Sequence, residues 1–247
     1  MTQRRFSFIL PVDWWRIPLH DETQREKAIE NLLDRQMPSK DEFAKLRQEL
    51  RTELRNASAQ AAKSGGLVTA MYMAAFDNQP FSASMTCYDV SGVISLPPEI
   101  DPKKILAAFV GDKELDASLP PLGAGYFPEG VEMPEIVLPE PTPSEDSELP
   151  QKWDKVTDYD VLAYRREGMV SGTTEFGEEV AKIPILQFQY FQMVPDFGIV
   201  QTTFGTPVSG PKDAWRSMFD AIIATFRNGE PADDSAATAT LNSEAAS

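Results

Sequence analysis

The chain has 247 residues, of which 42% are hydrophobic and 25% charged, a composition that allows a sizeable core and argues against general disorder. Its formal net charge of −15 repels phosphate backbones and anionic lipid, so neither nucleic-acid binding nor attachment to a membrane surface is expected. Because Cys87 is the single cysteine, no intramolecular disulfide can form, and the cytosol is the expected compartment.

The negative charge is concentrated in two segments. Residues 132–150 contain six acids, five prolines and no base, and residues 228–247 contain four acids and no base. Residues 1–66, in contrast, carry a formal charge of +2. We therefore predict one folded domain over residues 1–227 that includes an acidic, proline-rich loop at 132–150, followed by a disordered acidic tail at 228–247.

Aromatic residues dominate the N-terminal segment. Residues 6–11 alternate weakly in hydrophobicity and end in a proline, which indicates a short strand before a turn. Trp14 and Trp15 follow, and adjacent side chains of an extended chain point to opposite sides. We therefore expect one tryptophan to reach the core, while the other is exposed or covers a second layer.

A helical hairpin is predicted over residues 22–63. Asp21 and Gln24 form a capping pattern before the first helix, and apolar residues at helical spacing extend that helix to residue 37. A second amphipathic helix begins after Pro38 and ends near Lys63, before a glycine pair.

The second predicted helix carries three arginines, Arg47, Arg51 and Arg55, spaced four residues apart. This spacing places their guanidinium groups along one stripe of the helix. The stripe is either a solvated face or a docking surface for acidic residues, which a partner or the acidic loop of the same chain would supply.

Alternating apolar residues predict most of the strands that follow the hairpin. We expect one antiparallel pair at 67–76 and 81–88, a strand near 125–127, strands at 159–165 and within 169–182, and a second antiparallel pair at 185–194 and 199–206. A short helix is predicted at 103–110. The remainder of 112–131 is expected to be irregular because prolines and glycines interrupt it.

The last predicted helix begins at Pro211 and presents an apolar stripe that must pack on a sheet. The stripe consists of Trp215, Met218, Phe219, Ile222, Ile223 and Phe226. The predicted fold class is therefore α+β, with an antiparallel sheet of about six to seven strands packed by this C-terminal helix and by the N-terminal helical hairpin.

Few residues suggest catalysis. The only histidine, His20, precedes a helix cap, and a buried inert thiol is the expected state of Cys87. No catalytic residue, metal ligand or cofactor is predicted, because one histidine and one cysteine cannot complete a zinc site and no phosphate-binding glycine motif occurs. Asp158 and Asp160 lie two apart on a predicted strand, so they share a face and are the best candidates for a carboxylate-dependent enzyme.

Aromatic and basic side chains are the better candidates for binding a partner. Exposed aromatic residues in or beside loops anchor protein partners, although core packing is the common alternative for such residues. The predicted partner-binding set consists of Trp14, Trp15, Arg47, Arg51, Arg55, Phe127 and Trp153.

Both ends of the chain carry motifs of a known group. The opening pattern is Phe6-x-Phe8-x-Leu10-Pro11-x-x-Trp14-x-x-Ile17-Pro18, and the closing one includes Val194-Pro195, Phe204-x-Thr206-Pro207 and Met218-Phe219-Asp220-Ala221-Ile222. With the segment 61–66, these motifs resemble a group of actinobacterial proteins and, in layout, the Mog1/PsbP-like superfamily. The resemblance covers most of residues 6–227 and implies an antiparallel sheet that carries helices. It transfers no catalytic residue.

The resemblance also implies a function based on binding, chaperoning or assembling another protein. We therefore expect a non-enzymatic adaptor or chaperone-like protein whose partner is another protein, accessory to a specialised secretion system of the type VII kind. Two alternatives remain at this point: a carboxylate-dependent enzyme or small-molecule-binding protein, and a structural subunit of a larger assembly.

Overall fold

In a computed structural model of the chain, the described residues are 6–37, 43–76, 79–90, 102–118, 149, 152–157, 161–176, 179–194, 198–207 and 211–228. Several predicted features therefore lie outside the described residues. They are the strand near 125–127 with Phe127, the acidic loop at 132–150 except Leu149, Asp158 and Asp160, and the tail after Asn228.

The described residues form strands and helices in a mixed order. The strands are β1 (Phe6–Ser7), β2 (Trp14–Pro18), β3 (Gly66–Phe76), β4 (Gln79–Asp89), β5 (Asp154–Thr157), β6 (Leu162–Phe176), β7 (Glu179–Val194), β8 (Gly198–Thr206) and β9 (Arg227–Asn228). The helices are α1 (Glu22–Gln36), α2 (Ala44–Lys63), α3 (Pro102–Val110), α4 (Lys113–Ser118) and α5 (Lys212–Ala224). No helix among these residues is long and apolar enough to cross a membrane.

Seven of the strands form one sheet in the order β2-β3-β4-β8-β7-β6-β5, and β1 pairs separately with β9. Every neighbouring pair is antiparallel. The predicted α+β class is confirmed, as are the sheet of about seven strands, the C-terminal helix and the N-terminal helical hairpin.

Helix α5 packs on one face of the sheet and forms the main core there. Its residues Trp215, Phe219, Ile222 and Ile223 are buried at helical spacing, as the sequence predicts. They contact the apolar side of the central strands, where Phe188, Tyr190 and Phe204 are fully buried. Burying this stripe is the main stabilisation of the helix, because a 13-residue helix is marginal in isolation.

Ion pairs also hold α5 to β6. Glu167 accepts hydrogen bonds from Arg216 Nε at 2.9 Å and Nη2 at 2.6 Å, and it pairs with Lys212 at 3.0 Å. The Arg216 hydrogen bonds, with the nearby charge of Lys212, hold the pKa of Glu167 down to about 2, against the opposing effect of burial. The carboxylate therefore stays ionised wherever the fold is intact above that pH.

The opposite face of the sheet is covered at two separate places. The α1–α2 hairpin lies over β2 and β3, where Ile29, Leu32 and Leu33 of α1 pack on Ile17. Helix α3 lies over the β6–β7–β8 side, where its residues Ile105 and Leu106 pack on Leu162, Tyr164, Met193 and Ile199. Between these two clusters, the central strands carry no helix among the described residues.

The predicted boundaries of the strands at 159–165 and within 169–182 are wrong. A single strand, β6, continues from Leu162 to Phe176, and β7 then runs from Glu179 to Val194. The register is continuous from Leu162 opposite Met193 to Phe176 opposite Glu179, so pairing along the whole ladder carries β6 through Gly168.

The prediction of irregular structure after residue 112 is also wrong for the stretch 113–118, which forms α4. Asp112 explains its start, because the Asp112 carboxylate accepts a hydrogen bond from the Leu115 backbone N–H at 2.9 Å. The same carboxylate accepts a hydrogen bond from the Tyr164 hydroxyl at 2.6 Å, which ties the helix to β6. The Leu115 hydrogen bond and then the Tyr164 hydrogen bond lower the pKa of Asp112.

Candidate functional site

An open groove crosses the centre of the sheet between the hairpin and α3, where none of the described helices lies. It encloses about 500 Å³ and is lined by Ser64, Ser84, Thr86, Tyr88, Asp89, Val90, Val170, Ile185, Gln187, Gln201, Thr203 and Gly205. Ser64 follows α2, and Val90 packs against the α3 cluster. We call this feature the central groove.

Strand alternation explains why hydroxyl and amide side chains line much of the central groove. Met85 and Cys87 of β4 lie in the core under α5, so their neighbours Ser84 and Thr86 face the opposite side of the sheet. On β8, Phe204 likewise lies in the core. The same two strands thus place large apolar side chains under α5 and hydrogen-bonding side chains on the opposite face of the sheet.

Gly205 leaves the central groove deeper at its floor, because it has no side chain. A methyl group at this position would lie 3.3 Å from Ile185 Cγ2 and 3.6 Å from the Ser84 hydroxyl oxygen. Strand register places Gly205 opposite Ser84 on one side and Gln187 on the other, and Gly168 opposite Gln187. Small side chains therefore alternate with polar ones along this row of the sheet.

A second row of polar side chains runs beside that floor. Successive strands place Thr69 opposite Thr86, Thr86 opposite Thr203, Thr203 opposite Gln189, and Gln189 opposite Arg166. We call these five residues the polar row. The hydroxyl oxygens of Thr69 and Thr86 lie 3.1 Å apart and share a hydrogen bond.

Hydrogen bonds link the end of the polar row to the floor of the central groove. Arg166 Nε donates to Gln189 Oε1 at 2.8 Å, and Gln189 Nε2 donates to Gln187 Oε1 at 3.2 Å. Because the Gln187 oxygen is the acceptor, its amide nitrogen remains as a donor on the side of the groove. The order of these bonds fixes the orientation of both amide groups.

Tyr88, which lines the groove, and Cys87 behind it add little reactivity. Burial raises the pKa of Tyr88, so its phenol stays neutral at neutral pH and acts as a hydrogen-bonding group. Behind it, Cys87 is fully buried; burial raises the pKa of its thiol to about 12, and Thr202 lies 3.4 Å from the sulfur. Within the described ranges, no three histidine, cysteine or acidic residues come together as metal ligands.

The two N-terminal tryptophans point to opposite faces of the sheet, as the alternation predicts. Trp14 is 7% exposed and meets Phe204 and Phe219 edge-on in the core under α5. Trp15 is half-buried against α1, where its Nε1 donates to the Ala28 carbonyl at 3.0 Å. Each covers one layer of the protein, and neither lines the central groove.

The three predicted docking arginines face α1. Arg51 forms two hydrogen bonds with Glu30, at 2.6 and 2.8 Å, Arg55 Nε donates to Glu26 Oε2 at 2.5 Å, and Arg47 pairs with Asp34. Acidic residues four apart on α1 thus match arginines four apart on α2. The hydrogen bond from Arg51 lowers the pKa of Glu30. Acidic residues of the same hairpin, on α1, occupy the stripe.

We expect Arg51→Glu to lower the free energy of unfolding by about 1 kcal/mol, because it breaks a two-bond ion pair and places two carboxylates together. Adding Glu30→Arg should restore part of that loss by reversing the pair, since Arg55, 3.6 Å from the Glu30 carboxylate, then faces a like charge. Urea unfolding followed by circular dichroism measures both. Lys45→Glu is the control, since Lys45 is 91% exposed and its change should be below about 0.5 kcal/mol. A double variant no more stable than Arg51→Glu would contradict the assignment.

The remaining predicted residues fall in different places. Trp153 is half-buried in an aromatic cluster, with ring centroids 5.1 Å from Phe191 and 6.2 Å from Phe109. His20 is exposed before α1. Phe127, Asp158 and Asp160 lie outside the described residues, so their roles stay predictions.

Sequence reasoning did not identify the central groove. The alternation of Ser82, Ser84, Thr86 and Tyr88 with apolar residues was visible, but such a pattern is typical of any half-exposed strand. The pairing of β4 with β8 brings two of these polar faces together, although 108 residues separate Asp89 from Gly198. No local pattern carries that information.

No protein-family model and no curated protein matches this chain. Among solved structures, the chain is similar to LpqN, described as involved in cell envelope biogenesis of Mycobacterium tuberculosis. The match has a TM-score of 0.34 and 11% sequence identity, over 92% of this chain and 85% of that chain. At these values the similarity carries no argument about fold or function, and membership of the Mog1/PsbP-like superfamily stays a prediction.

Proposed function

We propose that this chain is a non-enzymatic, protein-binding adaptor or chaperone-like protein, and that the central groove receives a polypeptide segment of its partner. The observation that carries the proposal is a groove of about 500 Å³ on the central strands, which no described helix covers and which is lined mainly by hydroxyl and amide side chains. Such side chains both donate and accept hydrogen bonds without changing protonation near neutral pH.

The dimensions of the central groove suit an extended peptide. Its lining comes from β4, β8, β7 and β6, which are neighbours in the sheet. Three spacings between adjacent strands span about 14 Å, the length of about four extended residues. An extended peptide backbone presents N–H and C=O groups along its length, and the serine, threonine and glutamine side chains of the groove can pair with both.

The proposal extends to the place of action. We infer that the protein acts in the cytosol, beside a specialised secretion system of the type VII kind, with a secreted or assembling protein as its partner. This part rests on the sequence resemblance and on the single cysteine alone.

Site-specific photocrosslinking tests the proposed function. A benzophenone amino acid at Ser84, which is exposed within the central groove, should give a discrete crosslinked protein in the cell of origin. The control places the same group at Asp213 of α5, whose side chain is 90% exposed on the opposite face of the sheet. Crosslinking of the same proteins from both positions, or of none from position 84, would contradict the proposal. Identification of the product by mass spectrometry tests the link to secretion.

A further inference from the structure

Arg166 differs in its partners from three other half-buried arginines of the protein. Arg51, Arg165 and Arg216 each pair with at least one carboxylate. Arg166 is half-buried on β6, yet within the described part of the chain no carboxylate pairs with it. Among these residues it contacts Gln189 through a hydrogen bond and the face of the Trp153 ring, whose centroid lies 4.7 Å from the guanidinium carbon.

This arrangement leaves a positive charge only partly compensated. Burial lowers the pKa of Arg166, and no charge among the described residues opposes that effect. The Trp153 ring stabilises a cation through its π electrons, more weakly than a carboxylate would at hydrogen-bond distance. A guanidinium with no carboxylate partner among the described residues is notable in a protein with 38 acidic residues and a formal charge of −15.

The position of Arg166 connects this charge to the central groove. Arg166 ends the polar row, and its Nε orients Gln189, which in turn orients the groove residue Gln187. The two terminal nitrogens of the guanidinium donate no hydrogen bond within the described residues. Four N–H donors on those nitrogens therefore remain for a ligand beside the groove.

We propose that Arg166 is the anion subsite of the central groove and binds a carboxylate of the polypeptide segment that the groove receives. The proposal rests on the proposed function and adds the chemistry of the partner. A planar guanidinium fits a carboxylate with two parallel hydrogen bonds, and Trp153 and Gln189 hold its plane in place. The formal net charge of −15 disfavours polyanions, whereas a single carboxylate matches a single guanidinium that has no carboxylate partner among the described residues.

Three defined peptides test the subsite. They share the sequence acetyl-Thr-Ser-Val-Thr-X, where X is glutamate amide, glutamine amide or glutamine with a free C-terminal carboxylate. We expect at least one carboxylate peptide to bind the full chain about tenfold or more tightly than the neutral peptide, measured by calorimetry. The glutamate amide reports a side-chain carboxylate, and the free acid reports a chain terminus. Binding should also shift the NMR signal of the Arg166 Nε–H group.

Variants separate the subsite from general charge effects. Arg166→Gln should remove the preference for carboxylate peptides, and Arg166→Lys should retain part of it. Arg35→Gln is the matched control, because it removes the same charge from an exposed arginine that also lies over a tryptophan, Trp15, at 5.6 Å. That variant should keep the full preference. Unchanged thermal unfolding shows that each variant is folded.

The outcomes distinguish this proposal from the proposed function. Equal binding of neutral and carboxylate peptides would overturn the subsite, while loss of that binding in Ser84→Trp would still support the central groove as the binding site. Retention of the preference in Arg166→Gln, or its loss in Arg35→Gln, would also overturn the subsite. If none of the peptides binds at millimolar concentration, the subsite is overturned, and the crosslinking result alone decides the proposed function.

Discussion

Phe219→Ala is expected to lower the free energy of unfolding by about 3–5 kcal/mol, the range for removing a fully buried aromatic ring. Phe219 is fully buried at the centre of α5, where its ring stacks on Phe204 at 4.1 Å and on Trp215 at 5.5 Å between centroids. Its removal leaves a cavity between the helix and the sheet that these large rings cannot fill without leaving their rotamers. Urea unfolding followed by tryptophan fluorescence measures the change.

Phe109→Ala is the matched control for this prediction. The Phe109 ring is half-buried on α3 and lies 4.5 Å from Phe191, so its loss removes less buried surface. We expect a clearly smaller destabilisation from this second variant. A loss at Phe219 no larger than the loss at Phe109 would contradict the placement of the main core under α5.

Asp220→Ala is expected to lower the free energy of unfolding by about 2–3 kcal/mol, because it leaves two donors without their acceptor. The Asp220 carboxylate accepts hydrogen bonds from the buried Tyr190 hydroxyl at 2.8 Å and from Arg165 Nη1 at 2.5 Å. Burial raises the pKa of Tyr190, so its hydroxyl remains a protonated donor. The cost includes a desolvated guanidinium whose remaining acidic neighbour, Glu167, lies 3.7 Å away.

A double-mutant cycle checks the role of Asp220. Tyr190→Phe should be less destabilising in the Asp220→Ala background than in the wild type, because the hydroxyl has already lost its acceptor. Asp213→Ala is the control on the same helix, since that side chain is 90% exposed and its change should stay below about 0.5 kcal/mol. Additive effects of the two core variants would contradict a shared hydrogen-bond network.

Local patterns predicted the elements that bury one continuous face. The stripe on α5, the capping residue Asp21 and the pair β3–β4 are all as predicted, because each depends on a periodicity or a cap within about 20 residues. Asp21 Oδ1 accepts a hydrogen bond from the Gln24 backbone N–H at 3.0 Å. Burial of such a face against any apolar layer favours the same local structure. The helix or strand can therefore be predicted without knowing which layer covers it.

The errors lie where pairing over a distance overrides the local pattern. Gly168 weakens a strand in isolation, but within β6 it is held by register with Gln187, and the strand continues on both sides of it. The edge strand β2 was expected only as an extended segment, and its pairing with β3 aligns Trp14 with Tyr72. In both cases the partner strand supplies the hydrogen bonds that local propensity does not.

At the candidate site, too, local patterns predicted some features and long-range pairing decided the others. Periodicity in the sequence shows which side chains lie on the same face: three arginines on one stripe of α2, and serines and a threonine on one face of β4. The packing of helices and strands determines which residues those faces contact. It placed α1 carboxylates on the arginine stripe, joined β4 to β8 to form the central groove, and left Arg166 without a carboxylate partner among the described residues. The periodicity of the sequence fixes the direction in which a side chain points from its own helix or strand. The contacts of that side chain depend on strand order and helix packing, which are set by the burial of the whole core.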